Sequence, residues 1–365
     1  MSLARAGHRG GGAAVVLALA AAVAATVGAA SAADSPPRPA VRSEPLTAPE
    51  DRRTPDQTFL TFPEWFLVHS PAEYARYLSR GEPASAFPLF AHIGQFWQGY
   101  AAVNREVARF PFNGGYHLMV MVIGSSTTVE YGLKGIYEHT IGRLAEATVS
   151  GGTPIPEERL YADYAQAYVD FIRIEPWYKF DFLAPLRQLW AELPLMGPNL
   201  IRRWERRFAL STELLVKEGY ARLIKLGSQS VYGAPKPTTA IVLDRSPAPD
   251  ASAYPDYVAK PTTGPEVLAT VPRYESFTAY SRWLAAQGVD FREIAGNDGE
   301  ILVSLLAATG WMASAPARTL FEQPILSRPG QKRVVLTVRV PQLAALLRSF
   351  GEKRGGVIVE HIYDY

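Results

Sequence analysis

The chain has 365 residues, of which 48% are hydrophobic and 20% charged, a composition typical of a globular protein large enough for two domains. Its 37 basic and 35 acidic residues give a formal net charge of +2 at pH 7. Arg5 and Arg9 account for that excess, so the remainder of the chain is neutral. A neutral body offers no basic face, which argues against nucleic acid as a partner. Because the chain contains no cysteine, disulfides, thiol nucleophiles and thiolate metal sites are excluded.

The N-terminus has the pattern of an export signal. A short basic leader precedes an alanine-rich apolar segment, and "ASA" at residues 30–32 fits a small-x-small cleavage site. We predict that residues 1–32 are a signal peptide; an uncleaved anchor is the alternative, because residues 13–33 are long enough to span a bilayer. Both alternatives predict an exported body, either periplasmic or anchored in the cytoplasmic membrane and facing the periplasm. Residues 33–56 are expected to form a disordered, proline-rich tether.

Residues 57–232 carry the apolar spacing of helices. "SPAEYARYL" predicts a helix that begins at Ser70, with Pro71 at its first position. The stretch 116–147 contains no proline and predicts a helix of about nine turns. The stretch "GPNLIRRWERRFALSTELLVKEGYARLIKLGS" predicts the last long helix of this region. We therefore predict an all-helical domain.

Residues 233–266 are rich in proline and predict a linker around one strand-like piece, "TAIVLD". In residues 267–365 two helical patterns alternate with strands, and a hairpin is predicted to turn at Asn297-Asp298-Gly299. The predicted fold class is α+β: an N-terminal all-helical bundle domain followed by a ferredoxin-like α+β sandwich domain.

The segment "VEYGLKGIYEHTIGRL" places Glu130, Lys134 and Glu138 at a spacing of four residues on one helix. The uncharged run before Glu130 is shorter than a spanning helix requires, and extending it would bring these charges into the bilayer. We therefore predict a helix buried in a bundle. The simplest interpretation of the three charges is a ladder of ion pairs along this helix.

A similar pattern recurs at Glu213 and Lys217, where a tyrosine again follows the lysine by three residues. If the two segments are equivalent helices, their charges lie on a shared polar seam. Such helices would pack closely through Gly132, Gly135 and Gly219. A chance recurrence of a common helix-stabilising pair is the alternative.

The candidate polar seam consists of His117, Glu130, Lys134, Glu138, His139, Glu213 and Lys217. One hypothesis for these residues is a buried Glu/His enzyme or metal site around His117, Glu130 and His139. The helical region contains no Glu-x-x-His or His-Glu-x-x-His pattern, so we predict neither a metal site nor a cofactor.

Aromatic residues suggest a second candidate site, an apolar pocket for an amphiphile such as a lipid or a quinone-like molecule. It comprises Trp65, Phe66, Phe96, Trp97, Tyr100 and Trp177; the alternative is that these side chains are core. "IRRWERR" at residues 201–207 has two interpretations, a helix face that rests on acidic headgroups and a solvated face with ion pairs.

Residues 57–232, with "TFPEWFLVHSPAEYA", "IGQFWQGYAAVNR", "FNGGYHLMVMVIGSS", "TVEYGLKGIYE" and "RRWERRFALSTE", resemble an uncharacterised family of bacterial exported or membrane-associated proteins. The resemblance implies export and a single helical unit, and it transfers no activity. We expect a non-enzymatic binding or interaction protein of the bacterial envelope. The expected partner is an envelope protein or a lipid-like amphiphile, and the C-terminal region is a candidate for self-association.

Overall fold

The computed structural model describes residues 45–151, 154–228, 237–247, 254–262, 264–352 and 356–364. The predicted signal peptide or anchor and residues 33–44 of the predicted tether lie outside the described residues. The N-terminal region contains α1 Gln57–Ser79, α2 Leu89–Val107, α3 Gly114–Tyr137, α4 Arg143–Glu146, α5 Pro156–Ile172, α6 Leu183–Ala191 and α7 Leu200–Ser228. The C-terminal region contains β1 Thr238–Leu243, β2 Val258–Lys260, β3 Val267–Pro272, α8 Glu275–Ala286, β4 Phe291–Ile294, β5 Glu300–Ala308, β6 Arg318–Pro324, β7 Gln331–Arg339, α9 Val340–Glu352 and β8 Ile358–Ile362.

Helix α1 lies at the centre of the helical region, where it packs against α2, α3 and α5. The predicted helix start at Ser70 is wrong, because α1 continues through Pro63 and Pro71. Proline removes a backbone donor and normally interrupts a helix. Here apolar side chains are buried along both halves of α1, including Phe59 and Phe62 before the prolines and Leu78 after them. Tertiary packing thus outweighs the local signal.

The long helix predicted over residues 116–147 is confirmed, with one irregularity. Asn113 caps α3 by accepting a hydrogen bond from the Tyr116 amide at 3.2 Å. Helix α3 then continues through a π-helical turn, Glu138–Gly142, into α4. A π turn leaves carbonyl oxygens outside the normal ladder, and Gly142 O accepts a hydrogen bond from Arg202 of α7 at 2.9 Å.

The strands form two antiparallel sheets, with orders β2-β3-β1-β4 and β6-β7-β5-β8. The two sheets share one topology. In the first sheet α8 connects β3 to β4, which lie on either side of β1, and in the second sheet α9 connects β7 to β8, which lie on either side of β5. Side chains alternate along each strand, so Ile301 and Val303 face a core that both sheets and both helices share. The α+β class with a helical N-terminal region and antiparallel sheets is confirmed.

The predicted hairpin around Asn297 is wrong. Strand β4 pairs with β1 in the first sheet, whereas β5 pairs with β7 and β8 in the second. The chain does turn at this point, since Ile294 forms an isolated bridge with Asn297, but after the turn it passes from the first sheet to the second. Local turn chemistry specifies a reversal and cannot specify which strands pair across it.

The opposite face of the second sheet packs on α1. Leu302 and Val335 share a buried cluster with Phe59, Phe62 and Trp65 of α1. Residues 45–56, which were expected to be disordered, are ordered: the Thr47 hydroxyl donates to Glu293 at 2.9 Å. Strand β1 lies inside the predicted linker and is an interior strand of the first sheet. The division of the chain into independent domains stays a prediction.

Candidate functional site

A cavity of about 70 Å³ lies between α1, α3, α5 and α7. Its apolar side is lined by Phe66, Leu67 and Leu89 of α1 and α2, whereas the charged groups of its polar side come from α3 and α7 and are accompanied by tyrosine hydroxyls. The remaining lining residues are Pro71, Tyr74, Thr127, Glu130, Tyr131, Lys134, Tyr161, Tyr164, Ala165, Tyr168, Glu213 and Lys217. An apolar cavity with a few convergent polar groups is the usual form of a small-molecule site.

Four residues of the predicted seam come together at the polar side of this cavity. Lys134 Nζ lies 3.0 Å from Glu213 Oε2, and Lys217 Nζ lies 3.2 Å from Glu130 Oε1. Lys217 also contacts Glu213 Oε1 of its own helix at 3.0 Å. We call Glu130, Lys134, Glu213 and Lys217 the Glu/Lys quartet. Its two carboxylates and two ammonium groups balance in charge.

The quartet shows that α3 and α7 run antiparallel and are bridged by these long side chains, with residue 130 opposite 217 and residue 134 opposite 213. Lys134 is thus held by a glutamate of the neighbouring helix instead of the ladder expected along α3. The predicted close packing through glycines is wrong. A methyl group at Gly132 or Gly219 would meet no atom within 4 Å, and one at Gly135 would meet Phe90 of α2.

The charges of the quartet are strongly fixed. Burial raises the pKa of Glu213, but Lys134 and Lys217 together outweigh that effect and hold this pKa well below its usual range. Burial lowers the pKa of Lys217, and the neighbouring Glu130 and Glu213 more than compensate, so this pKa lies well above its usual value. At neutral pH the Glu213 carboxylate is therefore ionised and the Lys217 ammonium is protonated.

Tyrosines complete the polar side of the cavity. Tyr74 donates a hydrogen bond to the Tyr161 hydroxyl at 3.1 Å, and Tyr161 donates to Glu213 at 3.0 Å. The Lys134 ammonium lies 4.4 Å from the ring centroid of Tyr74, a cation–π distance. Burial is the main reason that the pKa values of Tyr74 and Tyr161 lie well above 10, and it raises the pKa of Tyr168 to about 12. These hydroxyls are therefore neutral hydrogen-bond donors at pH 7.

A chain of buried polar groups lies behind the cavity wall. The Tyr131 hydroxyl is 2.9 Å from Ser70 Oγ, which is 3.0 Å from His92 Nδ1. His92 Nε2 is 3.7 Å from Glu73 Oε2, too long for a hydrogen bond. Arg333 of β7 donates to the other oxygen of Glu73 at 3.3 Å. The chain thereby connects the cavity wall to the second sheet.

The other predicted seam residues lie elsewhere. His117 is hydrogen-bonded to the Tyr100 hydroxyl at 2.9 Å and stacks on Phe112. His139 Nδ1 lies 2.8 Å from the carbonyl of Gly135, and Glu138 binds Arg206. Along α3 and its π turn, residues 117, 130 and 139 are more than a helical turn apart, so the hypothetical Glu/His site around them is not assembled.

Most of the predicted aromatic pocket is core. The ring of Trp65 lies 3.6 Å from that of His361 of β8, centroid to centroid, in a tilted arrangement, and Phe96 packs edge-on against Phe66. Trp97 and Tyr100 pack beside them, and Trp177 stacks on Tyr220 of α7. Of these predicted pocket residues, Phe66 lines the cavity.

The arginines of "IRRWERR" form the predicted ion pairs, but they neither face solvent nor rest on headgroups. Arg202, Arg203, Arg206 and Arg207 are buried, with at most 3% of each residue exposed. Their guanidinium groups bind Glu138, Glu157, Glu158 and Glu205, together with several carbonyl oxygens. The glutamates that neutralise most of them lie on α5 and the π turn, which the local sequence cannot reveal. Buried arginine is stable only with such partners.

Sequence reasoning missed the cavity's tyrosines as site residues. The stripe Tyr161, Tyr164 and Tyr168 was visible at helical spacing, but such a stripe is equally typical of core. Within the described ranges, no group of three or more His, Asp or Glu side chains is arranged to hold a metal ion. Among the helices described, none combines the length and apolar character needed to cross a membrane.

Comparisons with protein families, with curated proteins and with solved structures find no match for this chain.

Proposed function

We propose that the protein is an exported, non-enzymatic binding protein that holds a small amphiphilic ligand in the cavity between α1, α3, α5 and α7. The observation that carries the proposal is the two-sided lining of this cavity. Phe66, Leu67 and Leu89 offer apolar contact, and the Glu/Lys quartet with its tyrosines offers hydrogen bonds. A ligand with a polar head and an apolar remainder matches both sides.

The neutral net charge of the quartet favours a ligand whose head is uncharged or zwitterionic. Each carboxylate already contacts an ammonium group, so a ligand with a net charge would have to compete with an existing ion pair. An uncharged or zwitterionic head avoids that cost, because it binds through donors and acceptors without disturbing the balance. The small volume suits a compact molecule, or the head of a longer one, better than a drug-sized ligand.

The pKa values favour binding over acid–base catalysis. A general acid or base works best with a pKa near the operating pH. In the quartet the pKa values of Glu213 and Lys217 are shifted away from neutrality, and burial lowers the pKa of His92, behind the cavity wall, to about 3. An enzyme with a buried Glu/His site therefore stays the weaker alternative.

Location, partner and C-terminal fold are further parts of the proposal. The basic leader, the apolar segment and "ASA" at residues 30–32 support export to the periplasm, either free or anchored. The partner proposed is a lipid-like amphiphile of the envelope. A ferredoxin-like C-terminal region is supported by the connection from β3 through α8 to β4, two strands separated by β1.

Native mass spectrometry of the full chain, gently purified from an envelope fraction, tests the binding function. We expect a stoichiometric noncovalent adduct that dissociates on denaturation and carries an uncharged or zwitterionic head. Ser70→Ala is a control that should keep the adduct, since Ser70 contacts Tyr131 from behind the cavity wall and does not line the cavity. A bare wild-type protein would contradict the proposal.

A further inference from the structure

The outer faces of α3, α4 and α7 form an apolar surface that the described residues cover only at two points, where Trp177 stacks on Tyr220 and Trp190 packs against Trp204. On α3 and its continuation, exposed large apolar side chains recur at helical spacing: Leu118, Val122, Val129, Leu133, Ile136, Ile141 and Leu144. On α7 the corresponding exposed side chains are Ile201, Trp204, Phe208, Leu215, Val216, Tyr220 and Leu223. We call these side chains together the α3/α7 face. Leu133 is 66% exposed and Phe208 62% exposed.

The two rows of side chains belong to one surface. Lys134 contacts Glu213 across the helix pair, and the rings of Tyr137 and Phe208 lie 6.2 Å apart. A large aromatic side chain has roughly 150–250 Å² of surface, and an aliphatic one has less. Summed over the partly exposed side chains of the α3/α7 face, the exposed apolar area is on the order of 1,000 Å². Monomeric proteins rarely expose a patch above about 300–600 Å². A stable protein interface buries about 800 Å² on each partner, so this face has the size that such an interface needs.

The glycines of the two helices point to a helical partner. Gly132 and Gly219 stand inside α3 and α7, where glycine is unfavourable relative to alanine, and a methyl group at either position would meet open space. Packing inside the described part of the chain therefore gives no reason for glycine at these positions. Close approach of another backbone does, because glycine lets two helices come together.

Charges near this face favour protein over lipid. Binding to an anionic membrane surface uses unpaired lysine and arginine around the apolar patch. Here Glu130 contacts Lys217, and Glu218 accepts from Arg222 at 2.6 Å. These two pairs combine both signs and are neutral in sum, so they add no net attraction to acidic headgroups.

We propose that the α3/α7 face is the interface between two copies of this chain. A two-fold dimer is the commonest symmetric assembly, and it buries the same face on both copies. Stacking one antiparallel helix pair on another would cover both rows of apolar side chains at once. Gly132 and Gly219 would then lie where the helices of the two copies approach each other.

Sedimentation-velocity ultracentrifugation of the full chain without detergent tests the interface. We expect a dimer at micromolar concentration, and a monomer for the double variant Leu133→Glu/Phe208→Glu. The matched controls are Ile174→Glu and Met312→Glu, two similarly exposed apolar residues away from the face, which should stay dimeric. Gly132→Leu places its Cβ where no atom lies within 4 Å and should raise the dimer dissociation constant about tenfold or more.

Other occupants of the α3/α7 face would give different results in this experiment. A wild-type monomer that floats with vesicles of phosphatidylethanolamine and phosphatidylglycerol, and loses this binding in the double variant, would overturn the dimer in favour of lipid. A wild-type monomer that ignores vesicles would overturn it in favour of coverage by another part of the chain. A dimer that persists in the double variant would place the interface elsewhere on the chain and also overturn the proposal.

Discussion

Glu213 is the residue on which the charge balance of the cavity depends. It binds Lys134 and Lys217 and accepts a hydrogen bond from Tyr161, whereas Glu130 contacts Lys217 alone and its side chain is 47% exposed. We expect Glu213→Gln to lower the free energy of unfolding by about 3 kcal/mol, because it leaves partly buried lysines without a counter-charge. Glu130→Gln should cost less than about 1 kcal/mol, as exposed ion pairs do.

Urea denaturation of both variants at pH 7 measures this difference. Equal losses for Glu213→Gln and Glu130→Gln would show that the quartet is a solvated surface network and would remove the basis for a polar site there.

His92 gives the stability a pH dependence. Burial, with a smaller contribution from Arg333, lowers its pKa from the usual 6.5 to about 3. As pH falls, the unfolded chain therefore binds the proton first, so the stabilisation is complete above pH 6.5 and decreases between pH 6.5 and 3. We expect the free energy of unfolding to fall by up to about 1.4 kcal/mol per pH unit for this residue.

Urea denaturation at pH 7 and pH 5 checks the sign. His69, whose pKa burial lowers to about 4, contributes in the same direction, so His92→Phe should reduce the slope without abolishing it. A slope that is unchanged by His92→Phe would contradict the assignment of the effect to this residue.

Helix α7 is held by its buried arginines. Glu157 of α5 is fully buried and accepts hydrogen bonds from Arg203 and Arg207, whereas the neighbouring Glu158, 28% exposed, binds Arg202. Glu157→Gln leaves two buried guanidinium groups without their carboxylate, and we expect a loss of about 3–5 kcal/mol in the free energy of unfolding. Glu158→Gln should lose less, because water reaches that carboxylate.

Thermal denaturation of the two variants, followed by circular dichroism, makes the comparison. A Glu157→Gln protein as stable as wild type would show that the arginines do not depend on α5.

Individual elements show what the sequence could and could not predict. The helix over residues 116–147 followed from periodicity, and the quartet residues followed from the recurrence of Glu and Lys in two helices. The crossed pairing of Lys134 and the burial of the arginines depend on which helix lies alongside, and a single helix sequence does not contain that information. The prediction of a hairpin at Asn297 was wrong for the same reason, since strand pairing is decided by tertiary contacts.

The helical region and the sheets share buried contacts. Trp65 of α1 packs against His361 of β8, Phe62 packs edge-on against Phe321 of β6, and Arg333 contacts Glu73. Because this junction includes large aromatic side chains from both regions, we expect one cooperative thermal transition for residues 45–364 within the full chain. Differential scanning calorimetry that resolves two transitions, with Trp65→Ala shifting neither, would contradict a shared core.

The central claim is that the cavity between α1, α3, α5 and α7 binds a small ligand, and a cavity-filling substitution tests it most directly. Ala165 is buried and lines the cavity, whereas Ala167 of the same helix is exposed. Ala165→Leu fills the space without removing a polar group, and Ala167→Leu is the matched control. By native mass spectrometry, we expect wild type and Ala167→Leu to carry the small-molecule adduct and Ala165→Leu to be folded and bare. A folded Ala165→Leu protein that keeps the adduct at full occupancy, or a wild type that carries none, would contradict the account.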